Sequence, residues 1–259
     1  MEILVAGGAG YVGSALIPKL LDRGYQVDVV ELFWFGNHLP EQVDVVHKDI
    51  FDLSVQDLRG YEQVVFLAGL SNDPMAEFSP SKNFIFNAAA VSKLAGEGMV
   101  GLTWERSFVV RTCGLYGVTG SSGKGGNFVE TMLRKAAEKN PIRVVDDQVL
   151  TLLSRETWGM PSVCFVRTDN YGIYHVSAEG QCSWYEFARK IFELKGLRVD
   201  LKPVSTAEFP SPVRRPAYSV LGKKRLRSIG IEMPSWEEGL GQYLTARKSK
   251  TQTIKAASL

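Results

Sequence analysis

The sequence lacks an excess of charge of either sign and lacks long apolar runs. Its 30 basic and 28 acidic residues leave a net charge of +2, so no strong field favours nucleic acid or an anionic membrane as a partner. No run approaches the roughly 18 apolar residues of a membrane span, and the chain enters a strand without a basic prelude. We therefore expect a cytoplasmic protein that binds neither membrane nor nucleic acid.

Cysteine and histidine are also scarce. The three histidines are scattered along the chain, and the cysteines are odd in number and lack the spacing of metal ligands. The sequence thus predicts no metal site, and it predicts free thiols at Cys113, Cys164 and Cys182.

What the sequence does have is a glycine-rich stretch at its start. Residues 2–6 are mostly strand formers, Gly7, Gly10 and Gly13 follow, and apolar residues then recur at helical spacing. Glycine allows a tight turn and a close ligand, and the N-terminus of a helix attracts phosphate. The stretch therefore predicts a pyrophosphate site. An ordinary strand-to-helix turn is the alternative, because a glycine pattern alone is weak evidence.

Further strands are predicted over residues 25–31, 43–47 and 63–69. The first of these ends at Glu31, 18 positions after Gly13, close to the roughly 20 at which a carboxylate meets the ribose hydroxyls of NAD. A carboxylate repels a 2′-phosphate, so Glu31 favours NAD(H) over NADP(H), although a nearby basic residue can override this preference. The last strand ends in small residues, where a dinucleotide would pass.

The middle of the chain departs from the pattern of a doubly wound sheet. Such a sheet expects a strand between successive helices, but no β-branched run occurs between Asn83 and Trp104. One βα unit is therefore missing. Because alanines fill the junction, we predict a single helix from Ser81 to Met99. On it Asn87 and Lys93 would lie about 240° apart, with Lys93 away from the cofactor.

The C-terminal half reads as alternating strands and helices. A strand is predicted over residues 106–111, and two more over 174–177 and 198–203. Ser183 caps a helix with Glu186 at the capping-box position, and Gly196 ends that helix. A last helix opens at Pro234. The basic tail of residues 246–259 has no periodicity and is expected to fray.

Several motifs occur in order in the first half: Gly7-x-x-Gly10-x-x-Gly13, Asp49-Ile50, Leu67-Ala68-Gly69, Asn87 and Ser92-Lys93-Leu94-Ala95-Gly96-Glu97. With them, residues 1–112 resemble the extended short-chain dehydrogenases/reductases, which include nucleotide-sugar epimerases, dehydratases and reductases. From residue 106 to about 244 the chain is similar to the dTDP-4-dehydrorhamnose reductases. That likeness is carried by residues 110–117, 125–132, 144–148, 172–177, 182–187 and 215–219.

The resemblance implies an α/β fold and a cofactor. A Rossmann domain of residues 1–150, with a doubly wound parallel sheet, would precede a small α/β substrate domain of residues 151–245. The implied activity is nicotinamide-dependent reduction of a nucleotide-linked 4-keto sugar, with an epimerase or dehydratase as the alternative and a homodimer as a possible assembly. The residues implied at the cofactor are Gly7, Gly10, Tyr11, Val12, Gly13, Glu31, Asp49, Ile50, Leu67, Ala68, Gly69 and Asn87.

Two departures from the family concern catalysis and an unmatched segment. In the family, Lys93 closes a Tyr-x-x-x-Lys motif whose tyrosine is the acid/base, but Ala89 stands at the tyrosine position here. The family's preceding strand, which ends in a Ser or Thr, is absent as well. The second departure is residues 152–161, which do not match. The alternative interpretation is therefore that the chain is a relative that binds a dinucleotide without catalysing a reaction.

Four residues keep two interpretations each. Lys93 is either a ribose ligand or a solvated helix lysine. Tyr116 could replace the missing tyrosine, although the family places it in a strand-end turn. By resemblance Asn127 and Arg215 bind the nucleotide sugar, since a guanidinium suits phosphate geometry. Their alternative roles are a loop cap and a surface charge.

Overall fold

The computed structural model describes residues 1–33, 36–68, 96–98, 102, 105–117, 126–165, 168–209 and 215–257. The chain divides into two compact units, one formed by residues 1–71 with 158–169 and the other by residues 72–157 with 170–259. The functional boundary predicted at residue 150 stays a prediction.

The first unit is built on a four-stranded parallel sheet. Its strands are β1 (Glu2–Ala6), β2 (Gln26–Glu31), β3 (Asp44–His47) and β4 (Gln63–Phe66). Their spatial order is β3-β2-β1-β4, and Val5 of the central strand lies opposite Val29 and Val65. This is the order of the first half of a Rossmann sheet, so the four predicted strands are confirmed.

One face of this sheet is covered by helix α1 (Gly13–Leu21), whose residues Leu16, Ile17 and Leu20 are buried. Two 3₁₀ turns, Ile50–Asp52 and Val55–Leu58, lead from β3 to β4. Within the described ranges no fifth strand adjoins β4, and its Val64 and Phe66 are exposed. The segment in which the sequence predicts a missing strand, between Asn83 and Trp104, lies almost entirely outside the described residues, so its absence stays a prediction.

The described part of the second unit contains four two-stranded sheets. In chain order its strands are β5 (Phe108–Thr112), β6 (Gly114–Tyr116), β7 (Ile142–Val145), β8 (Val149–Leu150), β9 (Leu152–Ser154), β10 (Gly172–Val176), β11 (Cys182–Ser183) and β12 (Leu201–Val204). The pairs β5–β10, β6–β9 and β7–β12 are parallel, and β8–β11 is antiparallel. Of the three strands predicted here, the last begins later than expected, at Leu201 rather than residue 198.

The remaining helices follow their sequence signals closely in two places. They are α2 (Phe128–Ala137), α3 (Arg155–Phe165), α4 (Trp184–Lys195), α5 (Lys224–Ser228) and α6 (Trp236–Ala257). Ser183 and Glu186 form the predicted capping box of α4, and Gly196 ends α4 with φ of 62°. The last helix also opens as predicted, with Ser235 and Glu238 bonded across its first turn.

Two regions without a predicted element form regular structure. The tail predicted to fray from Ala246 continues α6 to Ala257. Ala, Arg, Lys and Gln in the tail are good helix formers, and an existing helix extends at little cost; that the helix end frays stays a prediction. The unmatched residues 152–161 form β9 and the start of α3. The predicted helix over residues 81–99 lies outside the described residues except for Gly96–Gly98, which are helical.

Candidate functional site

The glycine turn after β1 leaves no room for side chains at three of its positions. Gly7 has φ of 83°, and a Cβ there would lie 2.5 Å from the backbone nitrogen of Ala68. A Cβ on Gly13 would lie 2.3 Å from the carbonyl oxygen of Gly8, and one on Gly8 would lie 2.7 Å from Val29. Glycine is thus required by close packing of strand, turn and helix. The sequence interpretation missed Gly8, whose steric role no spacing reveals.

The N-terminus of α1 faces this turn without a side-chain cap. Val12 is the N-cap residue and makes no capping hydrogen bond. The Gly10 N–H bonds the Gly7 carbonyl, and the Ser14 N–H bonds the Gly10 carbonyl. Within the described part of the chain, the N–H groups of Val12 and Gly13 donate to no backbone carbonyl. Such N–H groups at a helix N-terminus form an anion site.

Glu31 ends β2 at the same edge of the sheet. Its Oε1 accepts a hydrogen bond from the Leu32 N–H at 2.9 Å. Val29, two residues earlier, lies against the glycine turn, and residues two apart in a strand share a face. The Glu31 side chain therefore leaves the sheet on the face that carries the glycine turn.

The other cofactor residues predicted in this unit also cluster at the carboxyl ends of the strands. Asp49 and Ile50 follow β3, with Ile50 beginning a 3₁₀ turn. Leu67 and Ala68 follow β4; the Leu67 N–H bonds the Ala6 carbonyl, and Ala68 is the backbone against Gly7. Ligands of open parallel sheets bind at this edge. Gly69, Asn87, Ala89 and Lys93 lie outside the described residues.

Asn127 is fully engaged within the second unit. Its Oδ1 accepts from the Glu130 N–H at 3.1 Å and caps α2. Its amide nitrogen donates to the Gly117 carbonyl at 2.9 Å and to the Tyr243 hydroxyl at 3.2 Å. Asn127 therefore has the capping role that the sequence offered as the alternative to sugar binding. Sugar binding by Asn127 stays a prediction, and such a contact would compete with these three bonds.

Arg215 is exposed beside a small cavity of about 80 Å³. The cavity is lined by Gln148, Leu150, Trp184, Arg215, Pro216 and Ser219. Gln148 is buried and donates to the Thr206 hydroxyl at 2.9 Å. The cavity thus combines an indole, an amide and a guanidinium, and the sequence had indicated only the last of these.

Tyr116 does not meet the requirements of a proton donor. Its side chain is 2% exposed, and its ring packs against Phe187 and Tyr243. Burial raises the pKa of the Tyr116 hydroxyl, which finds no hydrogen-bond partner among the described residues. The suggestion that Tyr116 replaces the missing tyrosine was wrong, because the hydroxyl is enclosed by the core of its own unit.

Within the described ranges, Cys113, Cys182 and the acidic residues offer no alternative chemistry. Burial raises the pKa of Cys113 to about 11 and that of Cys182 to about 12, so both thiols stay protonated at neutral pH. In the described ranges no group of three His, Cys, Asp or Glu could hold a metal ion. No helix in those ranges is long and apolar enough to cross a membrane.

The residues of the first unit fit a dinucleotide. The glycine turn allows the pyrophosphate to approach the backbone, α1 presents N–H groups that donate to no carbonyl of the described chain, and Glu31 stands where a ribose would lie. These three features meet at one edge of one sheet.

Comparison with known families agrees with this geometry. The model of the NAD dependent epimerase/dehydratase family matches residues 3–94. The model of the RmlD substrate binding domain matches residues 85–249.

Two of three relatives extend over nearly the whole chain, and the third covers a little more than half of it. The spore coat polysaccharide biosynthesis protein SpsK of Bacillus subtilis is 41% identical over 287 aligned residues, covering 96% of this chain and 98% of SpsK. The dTDP-4-dehydrorhamnose reductase of Sinorhizobium fredii is 35% identical over 60% of this chain and 55% of its own length. The crystal structure of dTDP-4-dehydrorhamnose reductase from Bacillus anthracis with NADP has a TM-score of 0.74 and 28% identity, covering 95% of this chain and 99% of that chain.

The SpsK alignment also bears on the missing βα unit. Since 96% of 259 residues is about 249, about 38 of the 287 aligned positions have no residue in this chain. A βαβ unit takes about 30 residues or more. The number of positions that this chain lacks relative to SpsK is therefore large enough for one strand and its helix. The two family models and the SpsK alignment place the chain in the extended short-chain dehydrogenase/reductase family, alongside the dTDP-4-dehydrorhamnose reductases.

Proposed function

We propose that this chain binds a nicotinamide dinucleotide at the glycine turn and acts on a nucleotide-linked 4-keto sugar of the dTDP-4-dehydrorhamnose type. The observation that carries the proposal is the glycine cradle in front of the uncapped α1 N-terminus. The choice of this sugar rests on the relatives, which are named dTDP-4-dehydrorhamnose reductases.

The pyrophosphate and the adenosine ribose of the dinucleotide each have a proposed partner in the first unit. The N–H groups of Val12 and Gly13 donate to the pyrophosphate, because a helix N-terminus stabilises negative charge. Glu31 accepts from the adenosine ribose hydroxyls and repels a 2′-phosphate, so NAD(H) is preferred over NADP(H). Asp49, Ile50, Leu67 and Ala68 line the same edge.

For the sugar nucleotide, Arg215 is the proposed ligand. Its guanidinium is exposed at the cavity and suits the geometry of phosphate oxygens. A nicotinamide bound at the first unit would supply the hydride for the carbonyl carbon. The alkoxide oxygen then needs a proton, and the buried Tyr116 cannot donate it.

A second candidate is dinucleotide binding without turnover. It is favoured by Ala89 at the tyrosine position and by the deficit of about 38 residues relative to SpsK. General acid–base assistance contributes roughly 10²–10⁴ in rate, so its loss leaves binding intact while it silences the reaction.

Two measurements on the purified chain separate the candidates. Titration with NADH followed by nicotinamide fluorescence tests binding, and NADH oxidation with dTDP-4-dehydrorhamnose tests reduction. Binding with turnover supports the reductase, and binding alone supports the second candidate. Turnover of UDP-glucose with NAD but not of the dTDP sugar would identify an epimerase or dehydratase instead. Absence of binding would overturn the proposal.

The proposed location is the cytoplasm, and the proposed assembly is a homodimer. Both rest on the family resemblance and on the balanced charge of the sequence. Light scattering coupled to size exclusion measures the assembly directly.

A further inference from the structure

The end of β3 carries a histidine that touches the loop after Glu31. His47 is the register partner of Glu31 across the β2–β3 pair, so both side chains leave the same face of the sheet. The His47 Nε2 lies 3.1 Å from the carbonyl oxygen of Leu32. A carbonyl oxygen only accepts hydrogen bonds, so Nε2 carries the hydrogen.

The Leu32 residue is therefore held at both ends of its backbone. Its N–H donates to Glu31 Oε1 at 2.9 Å, and its carbonyl accepts from His47 at 3.1 Å. Within the described residues no donor reaches the second carboxylate oxygen, Glu31 Oε2. The two bonds fix one oxygen of the carboxylate to the backbone and leave the other available for a ribose hydroxyl.

A backbone outlier lies directly beside these bonds. Phe33 has φ of 53°, a conformation that is rare for a bulky side chain. Its ring centroid lies 6.1 Å from that of His47. Strained residues persist where their surroundings hold them, and they cluster at ligand sites. The His47 contact is thus part of what fixes the chain just after Glu31.

We propose that His47 is a positioning residue for cofactor selection: through Leu32 it holds the Glu31 carboxylate in the orientation that accepts ribose hydroxyls and rejects a 2′-phosphate. This proposal rests on the proposed dinucleotide site. His47 itself does not touch the reacting atoms. Its loss lets the Leu32 carbonyl turn and the carboxylate swing, so discrimination between the two cofactors weakens.

The test compares dissociation constants for NADH and NADPH in four proteins, measured by fluorescence titration without any turnover. In His47→Ala the preference for NADH over NADPH falls about 3- to 10-fold, the range expected for one hydrogen bond. In His47→Gln, whose side-chain N–H can reach the same carbonyl, the preference is largely restored. His38→Ala, an equally exposed histidine of the same unit, keeps the original preference and serves as the matched control.

A double-mutant cycle then connects the effect to the carboxylate. With Glu31→Gln in place, adding His47→Ala produces no further change in the preference, because the group that it positions is gone. An unchanged preference in His47→Ala, or equal losses for both cofactors that Gln does not rescue, would overturn the proposal while leaving the dinucleotide site intact. A parent chain that binds neither cofactor would overturn both.

Discussion

At the scale of single residues, a position can require glycine because its φ is positive or because no space is left for a Cβ atom. Gly7 in the glycine turn has both properties. Gly7 has a positive φ of 83°, and a methyl group added to it would lie 2.5 Å from a backbone atom. Gly24 has φ of 78° and open space around it. The two positions share a positive φ and differ in crowding.

Gly7→Ala and Gly24→Ala therefore form a matched pair. A left-handed conformation costs a non-glycine residue about 1–2 kcal/mol, so both variants should lose that much stability. Gly7→Ala should lose more, and it should also lose NADH affinity, because β1 and the residues after β4 are forced apart. Urea denaturation and NADH titration provide the measurements. Equal losses in the two variants would show that crowding at Gly7 has no effect.

Two buried tyrosines make a second matched pair. The Tyr116 hydroxyl finds no partner among the described residues, whereas the Tyr243 hydroxyl donates to Glu130 at 2.7 Å. An unmade hydrogen bond in the core costs about 1–3 kcal/mol. Tyr116→Phe should thus keep or raise the free energy of unfolding, and Tyr243→Phe should lower it by roughly 1–2 kcal/mol.

The same pair tests the source of the catalytic proton. If the chain reduces its substrate, Tyr116→Phe should leave kcat unchanged, since the hydroxyl is enclosed. A loss of kcat in Tyr116→Phe without a loss of stability would contradict this assignment.

Sequence reasoning anticipated the local geometry of the glycine turn better than the contacts of Asn127, for a physical reason. The glycine turn and Glu31 belong to one local strand–turn–helix unit, so spacing along the chain determines where they lie. One hydrogen bond of Asn127 goes to the Tyr243 hydroxyl, more than one hundred residues away, and no local pattern predicts such a contact. For the same reason neither Gly8 nor His47 could be identified from spacing.

At the scale of elements, α6 is joined to α2 by a charged cluster. Arg247 donates from Nε to Glu130 Oε1 at 2.6 Å and from a terminal nitrogen to Oε2 at 3.0 Å. Burial alone would raise the pKa of Glu130, but the bonds from Arg247 and Tyr243 outweigh it and hold the pKa below 4.5. The carboxylate form is therefore favoured by folding.

This cluster predicts how stability depends on acid. A carboxyl with a lowered folded pKa stabilises the folded chain above its unfolded pKa, and that contribution disappears as pH falls through the folded value. Glu130→Gln should be less stable than the parent at pH 7, and the difference should shrink below about pH 4.5. Urea denaturation from pH 3 to 7 measures it. Arg247→Met should show the same trend, and a difference independent of pH would contradict the role of the cluster.

Helix ends that carry a capping residue or a terminal glycine could be predicted from the sequence. The end of the last helix, which carries neither, could not. The capping box of Ser183 and Glu186 and the left-handed Gly196 define α4 from local chemistry alone. No such stop signal follows Leu244, and good helix formers continue the sequence there. Helix propagation in the structure carries α6 to Ala257.

At the scale of the whole molecule, β4 is an edge strand among the described residues, and it exposes large apolar side chains. Val64 is 47% exposed and Phe66 is 62% exposed. Open, apolar edge strands promote association with other chains. Val64→Lys should thus lower the concentration-dependent association of the protein, as measured by light scattering. Val55→Lys is the control, since Val55 is 74% exposed but lies in a 3₁₀ turn. Equal effects of both substitutions would indicate a general charge effect rather than pairing at the edge.

The first compact unit is assembled from two separated stretches, residues 1–71 and 158–169. Its second stretch packs on α1: a methyl group on Gly159 would lie 2.8 Å from the Lys19 side chain. During translation the ribosome must therefore add almost a hundred residues after Ser71 before this unit can be completed. At roughly 5–20 residues per second, the nascent sheet waits about 5–20 s for that helix. A chaperone that binds nascent chains would meet the uncovered surface of α1 during this interval.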